Sequence, residues 1–146
     1  MLVNSDINID GKARGIVYAA ARRAYPDECC GFLWGHGNTV SFAAEAGNVS
    51  EGDKKSHFAI HPASYMAAEL FAEQNGLSLL GVFHSHPDDP AVPSCKDLEM
   101  ALPNFLYFIV SVSKLAVLEE RCWALNDTQQ FQELLIRGSL LESSQT

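Results

Sequence analysis

The first third of the chain changes from a helical to a strand-like spacing of its apolar residues. Residues 11–25 place apolar side chains on one helical face, and Pro26 ends this segment because proline disfavours helical geometry in the residue before it. Residues 29–34 and 39–44 are strand-like runs on either side of a glycine-bearing loop. The pattern therefore predicts one helix followed by a β-hairpin.

A polar stretch, residues 45–56, separates this hairpin from the next apolar positions and predicts a mobile surface loop. Residues 58–60 are predicted to form a short strand, and Pro62 stands where the first turn of a helix tolerates proline. We expect this second helix to bury one apolar stripe, which consists of Met66, Ala67, Leu70 and Phe71.

Two nearly continuous apolar runs follow, as is typical of strands that are covered on both faces. They are residues 77–83 and 105–112, and a short helix beginning at Ser94 is predicted between them. Residues 115–125 have the pattern of a further strand with several polar positions. Residues 129–136 fit either a strand or a helix, and we favour a strand.

This order of elements predicts an α/β fold in a single domain with a mixed sheet. We place the domain at residues 1–138 and expect residues 139–146 to form a flexible C-terminal tail. The length of 146 residues suits one domain, and the hydrophobic fraction of 47% is typical of a globular protein.

The formal net charge of −8 argues against nucleic-acid binding, because a nucleic-acid binder needs a basic face for the phosphates. No apolar run approaches the roughly 20 residues of a membrane span, and the N-terminus lacks the pattern of a signal peptide. We therefore expect a cytoplasmic protein that binds neither nucleic acid nor membrane, with its four cysteines as free thiols. The sequence leaves the oligomeric state open.

Two histidines, His84 and His86, stand two residues apart just after the apolar run 77–83. If the strand continues through Ser85, their side chains point to the same face and can bind one metal ion together. Asp97 lies on the first turn of the following helix, and the proline-containing loop before it can return this carboxylate to the strand end. Three such ligands leave a fourth position open for water, which is the arrangement of a catalytic zinc ion.

The same residues also have an explanation that needs no metal. Ser94-x-x-Asp97 is the pattern of a capping box, in which the serine and the acidic side chain satisfy the first backbone N–H groups of a helix. A His-x-His pair is by itself weak evidence for a metal site. From the residues alone, a metal site and a plain helix cap both remain open.

The spacing of these residues resembles the motif of the JAMM (MPN-plus) zinc metallopeptidases. His84-Ser85-His86-Pro87 is followed, after six intervening residues, by Ser94-x-x-Asp97, and this matches the family motif at every spacing. An upstream segment also resembles the family's first-strand segment and reads Pro26-x-Glu28-Cys29-Cys30-Gly31-Phe32-Leu33-x-Gly35. The resemblance covers about residues 10–125 and implies a curved mixed sheet flanked by helices.

The resemblance also implies a role for each residue of the motif. His84, His86 and Asp97 would be the ligands of one zinc ion. Glu28 would accept a proton from the zinc-bound water nucleophile and pass it to the leaving amine, and Ser94 would donate a hydrogen bond to the oxyanion. The implied reaction is hydrolysis of a peptide or isopeptide bond at the C-terminus of a ubiquitin-like protein. The compact chain resembles the prokaryotic branch, which implies a sulfur-carrier type of substrate.

A non-catalytic MPN scaffold, which only binds partners, is the alternative function. Such scaffolds have lost one or more of the motif residues, whereas this chain retains all of them. The remaining histidines are expected to serve other purposes: His36 in a solvated loop, His57 at the end of the mobile loop and His61 at a helix start. Cys95 is expected to point away from the metal because of its place on the helix.

Overall fold

The computed structural model describes residues 6–138, in which seven strands and three helices are formed. In chain order they are β1 (Asp6–Ile9), α1 (Gly11–Ala24), β2 (Cys30–His36), β3 (Thr39–Ala46), α2 (Pro62–Gln74), β4 (Ser78–Pro87), α3 (Cys95–Glu99), β5 (Leu106–Val112), β6 (Val117–Leu125) and β7 (Phe131–Arg137). The predicted tail at 139–146 and residues 1–5 lie outside the described residues.

The strands form one mixed sheet in the order β1-β3-β2-β4-β5-β6-β7, which closes into a barrel. Strand β1 closes it by pairing in parallel with both β3 and β7. Strand β4 lies in the middle, antiparallel to β2 and parallel to β5. The predicted single α/β domain with a curved mixed sheet is confirmed. The segment 129–136, which fitted either a strand or a helix, corresponds to strand β7. The pattern did not predict β1 or the closure.

Helix α1 packs against β3, β4, β5 and β6 and supplies much of the main apolar core. Its start is capped by Asp10, whose Oδ1 accepts a hydrogen bond from the Ala13 N–H at 3.1 Å. Arg14 is buried and forms an ion pair with Glu120 of β6, and the Tyr18 hydroxyl donates to the same carboxylate at 2.7 Å. A buried charge is tolerated only with such a partner, so this pair fixes α1 on the barrel.

Helix α2 packs against a second apolar cluster, which is separate from the main core that α1 joins. It does so with a different face from the one expected. Of the predicted stripe, Phe71 is partly buried, but the other three residues are exposed, so their predicted burial is wrong. The buried residues are Ala68 and Ala72, because the helix approaches the sheet closely at Trp34. The indole Nε1 of Trp34 donates to the Ala68 carbonyl oxygen at 3.0 Å, which requires small residues at the contact.

Within residues 6–138, no helix combines the length and the hydropathy that crossing a membrane requires.

A segment that we call the strap, residues 49–60, connects β3 to α2. Its predicted short strand at 58–60 is wrong, since the backbone there is not part of the sheet. The strap is closed instead by one backbone hydrogen bond, from the Val49 N–H to the Ala59 carbonyl oxygen at 2.9 Å. It runs past the C-terminal half of β4, where the two candidate histidine ligands lie.

Candidate metal centre

Strand β4 carries both histidines of the motif at its C-terminal end. It continues through Ser85 to Pro87, longer than the apolar run predicted, because β5 pairs with it along this whole stretch. His84 and His86 therefore project to the same face, with their Nε2 atoms 3.1 Å apart. Both are buried, which separates them from ordinary surface histidines.

Helix α3 brings the carboxylate to these histidines through its capping box. Ser94 Oγ accepts a hydrogen bond from the Asp97 N–H at 3.0 Å, and Asp97 Oδ2 accepts one from the Ser94 N–H at 2.9 Å. The same Oδ2 lies 3.2 Å from the Nε2 atoms of both His84 and His86. The cap and the candidate ligand are thus one carboxylate, and the two interpretations of the motif are compatible.

The three atoms fit a tetrahedral metal. Ligand bonds of about 2.0–2.1 Å place any two tetrahedral ligands about 3.3 Å apart. The separations among His84 Nε2, His86 Nε2 and Asp97 Oδ2 are 3.1, 3.2 and 3.2 Å. All three residues are buried, and two imidazoles with one carboxylate are a donor set typical of catalytic zinc. The residues present can therefore hold a zinc ion, with one position left for another ligand.

The protonation states of Asp97 and His84 also suit a metal, whereas His86 is shifted toward its protonated form in the metal-free protein. Burial raises the pKa of Asp97, but its hydrogen bonds with His84 and His86 outweigh this and hold it well below the usual range. Burial lowers the pKa of His84 and so favours the neutral imidazole, the form that binds metals. The pKa of His86 is also lowered by burial, but hydrogen bonds to Asp97 and to the Pro90 carbonyl raise it on balance.

The two histidines differ in what holds their second ring nitrogen. The Nδ1 of His86 lies 2.8 Å from the Pro90 carbonyl oxygen, which requires a proton on Nδ1 and leaves Nε2 free to bind a metal. The buried Nδ1 of His84 has no hydrogen-bond partner among residues 6–138. His84 is restrained instead by Phe58 of the strap, whose ring stacks on the imidazole with centroids 4.4 Å apart.

Glu28 lies just before β2 and is 6% exposed. Two hydrogen bonds fix its neighbour to the residue between the histidines: the Cys29 N–H donates to Ser85 Oγ at 2.8 Å, and the Ser85 N–H donates to the Cys29 carbonyl oxygen at 3.2 Å. Burial raises the pKa of Glu28 to about 8, although the charge of His86 lowers it. A buried carboxyl group whose proton is held near neutral pH is suited to proton transfer.

This shift predicts a pH dependence of stability in the metal-free protein. The folded pKa of about 8 exceeds the ordinary value of 4.5, so the protonated Glu28 stabilises the fold below pH 4.5, and this contribution is lost as pH rises toward 8. Glu28→Gln removes this titration. We expect its stability relative to wild type to rise by about 1.4 kcal/mol per pH unit within this window. Urea unfolding with chelator at several pH values measures it, with Glu73→Gln, an exposed change on α2, as the control. An unchanged difference between pH 5 and pH 8 would show that the folded Glu28 ionises normally.

Asn48 is a residue that the sequence interpretation missed. Its Nδ2 donates to the carbonyl oxygens of Glu28 and His57, each at 3.1 Å. Its Oδ1 accepts from the N–H groups of Ser50 and Ala59, at 3.0 and 3.1 Å. One side chain therefore ties the strap to the segment that carries Glu28. No sequence signal marks it, because an asparagine in a polar loop is ordinary.

A cavity of about 100 Å³ lies beside the candidate ligands, between the strap and α3. It is bordered by His84 and Asp97, and its remaining lining is mostly apolar and aromatic, including Phe58, Tyr65 and Tyr107. His57 also borders this cavity, but its Nδ1 contacts Ser56 Oγ at 3.0 Å and lies outside the ligand cluster. An apolar space directly against a polar cluster is the usual form of a substrate site.

The other candidate ligands lie apart from the cluster. His36 ends β2 and is exposed. His61 caps α2, with its Nδ1 accepting from the Ala63 N–H at 3.0 Å, so the expected helix-start position is confirmed. Cys95 is exposed while the other three cysteines are buried, and none of the four is in a disulfide. The ligand cluster found within residues 6–138 consists of His84, His86 and Asp97.

A closed mixed sheet that presents a buried His-His-Asp cluster at the end of its central strand defines a JAMM/MPN type of domain. Residues 12–126 match the family described as prokaryotic homologs of the JAB domain, and the chain belongs to that family. It is a compact prokaryotic member, as the motif resemblance predicted.

Curated relatives and solved structures agree with this assignment. The chain is 33% identical over 110 residues to a desampylase of Pyrococcus furiosus, and the matched region covers 75% of this chain and 74% of the relative. It is 35% identical over 87 residues to a probable TtuB-protein conjugate cleaving protease of Thermus thermophilus, covering 60% of this chain and 57% of the relative. A solution structure from Desulfitobacterium hafniense superposes with a TM-score of 0.77 at 28% identity, covering 93% of this chain and 96% of that one. A JAB1/MPN domain protein from Archaeoglobus fulgidus, at 20% identity and a TM-score of 0.52, covers 89% of this chain and 97% of that one and shares the fold.

Proposed function

We propose that this protein is a zinc-dependent isopeptidase that hydrolyses the bond between the C-terminus of a ubiquitin-like protein and an amine. The observation that carries the proposal is the buried His84-His86-Asp97 cluster, whose three candidate ligand atoms lie at the separations that a tetrahedral metal requires. The names of the relatives support the substrate class, since one describes cleavage of a protein conjugate and another is a desampylase. The sulfur-carrier type of ubiquitin-like protein is the favoured substrate within this class.

The chemistry follows from the residues around the cluster. A zinc ion held by the three ligands would supply Lewis acidity and lower the pKa of water at the site toward about 7. Glu28 would take up a proton and return it to the leaving amine, and a pKa of about 8, raised by burial, supports this role because such a group exchanges its proton near neutral pH. Burial keeps bulk water away from Glu28, so the proton stays with the reacting groups.

Ser94 is proposed to bind the oxyanion that develops at the scissile carbonyl. Its Oγ accepts the capping hydrogen bond from the Asp97 N–H, and this leaves the hydroxyl proton free to donate elsewhere. The capping box also fixes Oγ relative to the ligand carboxylate, so the donor is oriented before substrate binds. Ser94 is exposed, which gives a substrate access to the hydroxyl.

A non-catalytic scaffold is less well supported by the same observations. Burying a carboxyl group and two imidazoles together costs stability unless they are compensated, and a bound metal ion would provide that compensation. A scaffold would gain nothing from such a cluster. A metal-dependent hydrolase requires it, and the neighbour of Glu28, Cys29, is hydrogen-bonded to Ser85 between the two histidines, which supports a shared site.

A conjugate-cleavage assay tests the proposal. The substrate is a ubiquitin-like protein whose C-terminal glycine is joined to a lysine ε-amine of a target protein, and the products are identified by mass. We expect the zinc-loaded protein to release the modifier with a free C-terminal carboxylate and an unmodified lysine. Chelator should abolish this cleavage and added zinc should restore it. Cleavage that is insensitive to chelator would refute the metal mechanism, and binding of the conjugate without cleavage would favour the scaffold.

A further inference from the structure

The loop between β4 and α3 is held in place by side chains of β6. Ala91 is completely buried, and both of its backbone polar groups are satisfied by that strand. Its N–H donates to Glu119 Oε1 at 2.9 Å, and its carbonyl oxygen accepts from the indole Nε1 of Trp123 at 3.1 Å. Glu119 and Trp123 are four residues apart and project from the same face of β6, so both can hydrogen-bond the backbone of Ala91.

The hydrogen bond to Glu119 involves the same peptide group that contacts the candidate metal ligand His86. The N–H of Ala91 and the carbonyl of Pro90 belong to one planar peptide unit, in which the orientation of one group fixes that of the other. The Pro90 carbonyl oxygen lies 2.8 Å from His86 Nδ1. The bond from Ala91 to Glu119 therefore sets the direction in which the Pro90 carbonyl faces the imidazole.

We propose that Glu119 and Trp123 are positioning residues for the metal ligand His86. Through Ala91 they hold the Pro90 carbonyl so that it accepts the proton of His86 Nδ1 and leaves Nε2 directed at the metal. The inference rests on the proposed metal site but not on the substrate or the reaction. The proposed role is specific to His86, since His84 Nδ1 has no such partner among residues 6–138.

Further contacts make Glu119 suitable for this role. Arg121 Nε donates to Glu119 Oε2 at 3.1 Å, so one carboxylate oxygen is bound by the guanidinium while the other accepts from Ala91. Ser111 Oγ donates to the carbonyl oxygen of Asp89 at 2.6 Å and fixes the preceding peptide. Partners of a ligating histidine typically change metal affinity about 10–100-fold when they are removed.

Zinc affinity, measured by competition with a chelating dye on metal-free protein, tests this inference directly. Trp123→Phe keeps a ring and removes the N–H donor, and Glu119→Leu removes the acceptor. We expect each to weaken zinc binding about 10-fold, the low end of the range for direct partners. Glu119→Gln keeps an acceptor oxygen and should bind zinc as wild type does. With cobalt as the probe, the visible spectra of Trp123→Phe and Glu119→Leu should differ from that of wild type.

Trp34→Phe is the matched control for an indole donor. Trp34 also donates its N–H to a backbone carbonyl, that of Ala68, but on α2, away from the ligand cluster. We expect it to lower stability without changing zinc affinity. Equal affinity of Trp123→Phe, Glu119→Leu and wild type would overturn the inference. So would equal weakening in Trp34→Phe, which would indicate general destabilisation, or weakening in Glu119→Gln, which would indicate a charge effect. Wild-type protein that binds no zinc would contradict the proposed function itself.

Discussion

Glu28→Gln is expected to lower turnover on the conjugate by about 10²–10⁴-fold, the usual contribution of a general acid–base residue. Glutamine has the same size and can remain in the buried position, but it can neither take up nor release the proton. Zinc content should be unchanged, because Glu28 is not part of the ligand cluster. Turnover and metal content are measured on the same preparation.

The control for this change is Glu73→Gln, an exposed substitution on α2 that should leave turnover at the wild-type level. A Glu28→Gln variant as active as wild type would show that another group moves the proton. A variant that has lost its zinc would show that Glu28 helps to hold the metal, which the structure does not indicate.

His84→Ala is expected to abolish both zinc binding and cleavage. It removes one of the three proposed ligands and leaves the carboxylate of Asp97 with a single histidine beside it. Zinc at 100 times its dissociation constant should stabilise wild type by about 2.7 kcal/mol and the variant not at all. Unfolding with and without zinc measures this, and the comparison with chelator present separates loss of metal from loss of fold.

His36→Ala provides the matched histidine control, because His36 is exposed at the end of β2. Its zinc-induced stabilisation should equal that of wild type. Full stabilisation by zinc in the His84→Ala variant would contradict the assignment of the ligands.

The order of elements could be predicted because the spacing of apolar residues within each short segment distinguishes a helix from a strand. Strand β1 could not be predicted, since four residues near the N-terminus give little pattern and its partners β3 and β7 are remote in sequence. The buried face of α2 was misassigned for a similar reason. A large indole at Trp34 selects the small residues Ala68 and Ala72, and that contact spans the two elements.

The candidate site was only partly accessible from the sequence. Spacing indicated that His84 and His86 share a face, but it left Asp97 as either a helix cap or a ligand. In the structure one oxygen of Asp97 accepts the capping hydrogen bond and also lies beside both histidines, so the two interpretations are compatible. Glu28 was singled out by the family resemblance alone. The structure supplies a physical reason for its position, because two hydrogen bonds, one of them to the side-chain hydroxyl, join the next residue to Ser85.

The residues that support the site could not be found from the sequence at all. Asn48, Glu119 and Trp123 act through backbone groups that are distant in the chain. Such contacts leave no periodic pattern and no motif. These contacts can be identified only from the folded structure, in which Asn48 contacts the strap and the loop after β4 contacts β6.

The central claim is that one zinc ion, held by the cluster on β4 and α3, makes this protein an isopeptidase. The most direct measurement is a titration of metal-free protein with zinc, in which bound zinc and conjugate cleavage are followed together. We predict that cleavage is absent without zinc, rises in proportion to bound zinc and reaches its maximum at one equivalent. Cleavage by the metal-free protein, or a fully zinc-loaded protein that leaves every ubiquitin-like conjugate intact, would contradict the claim.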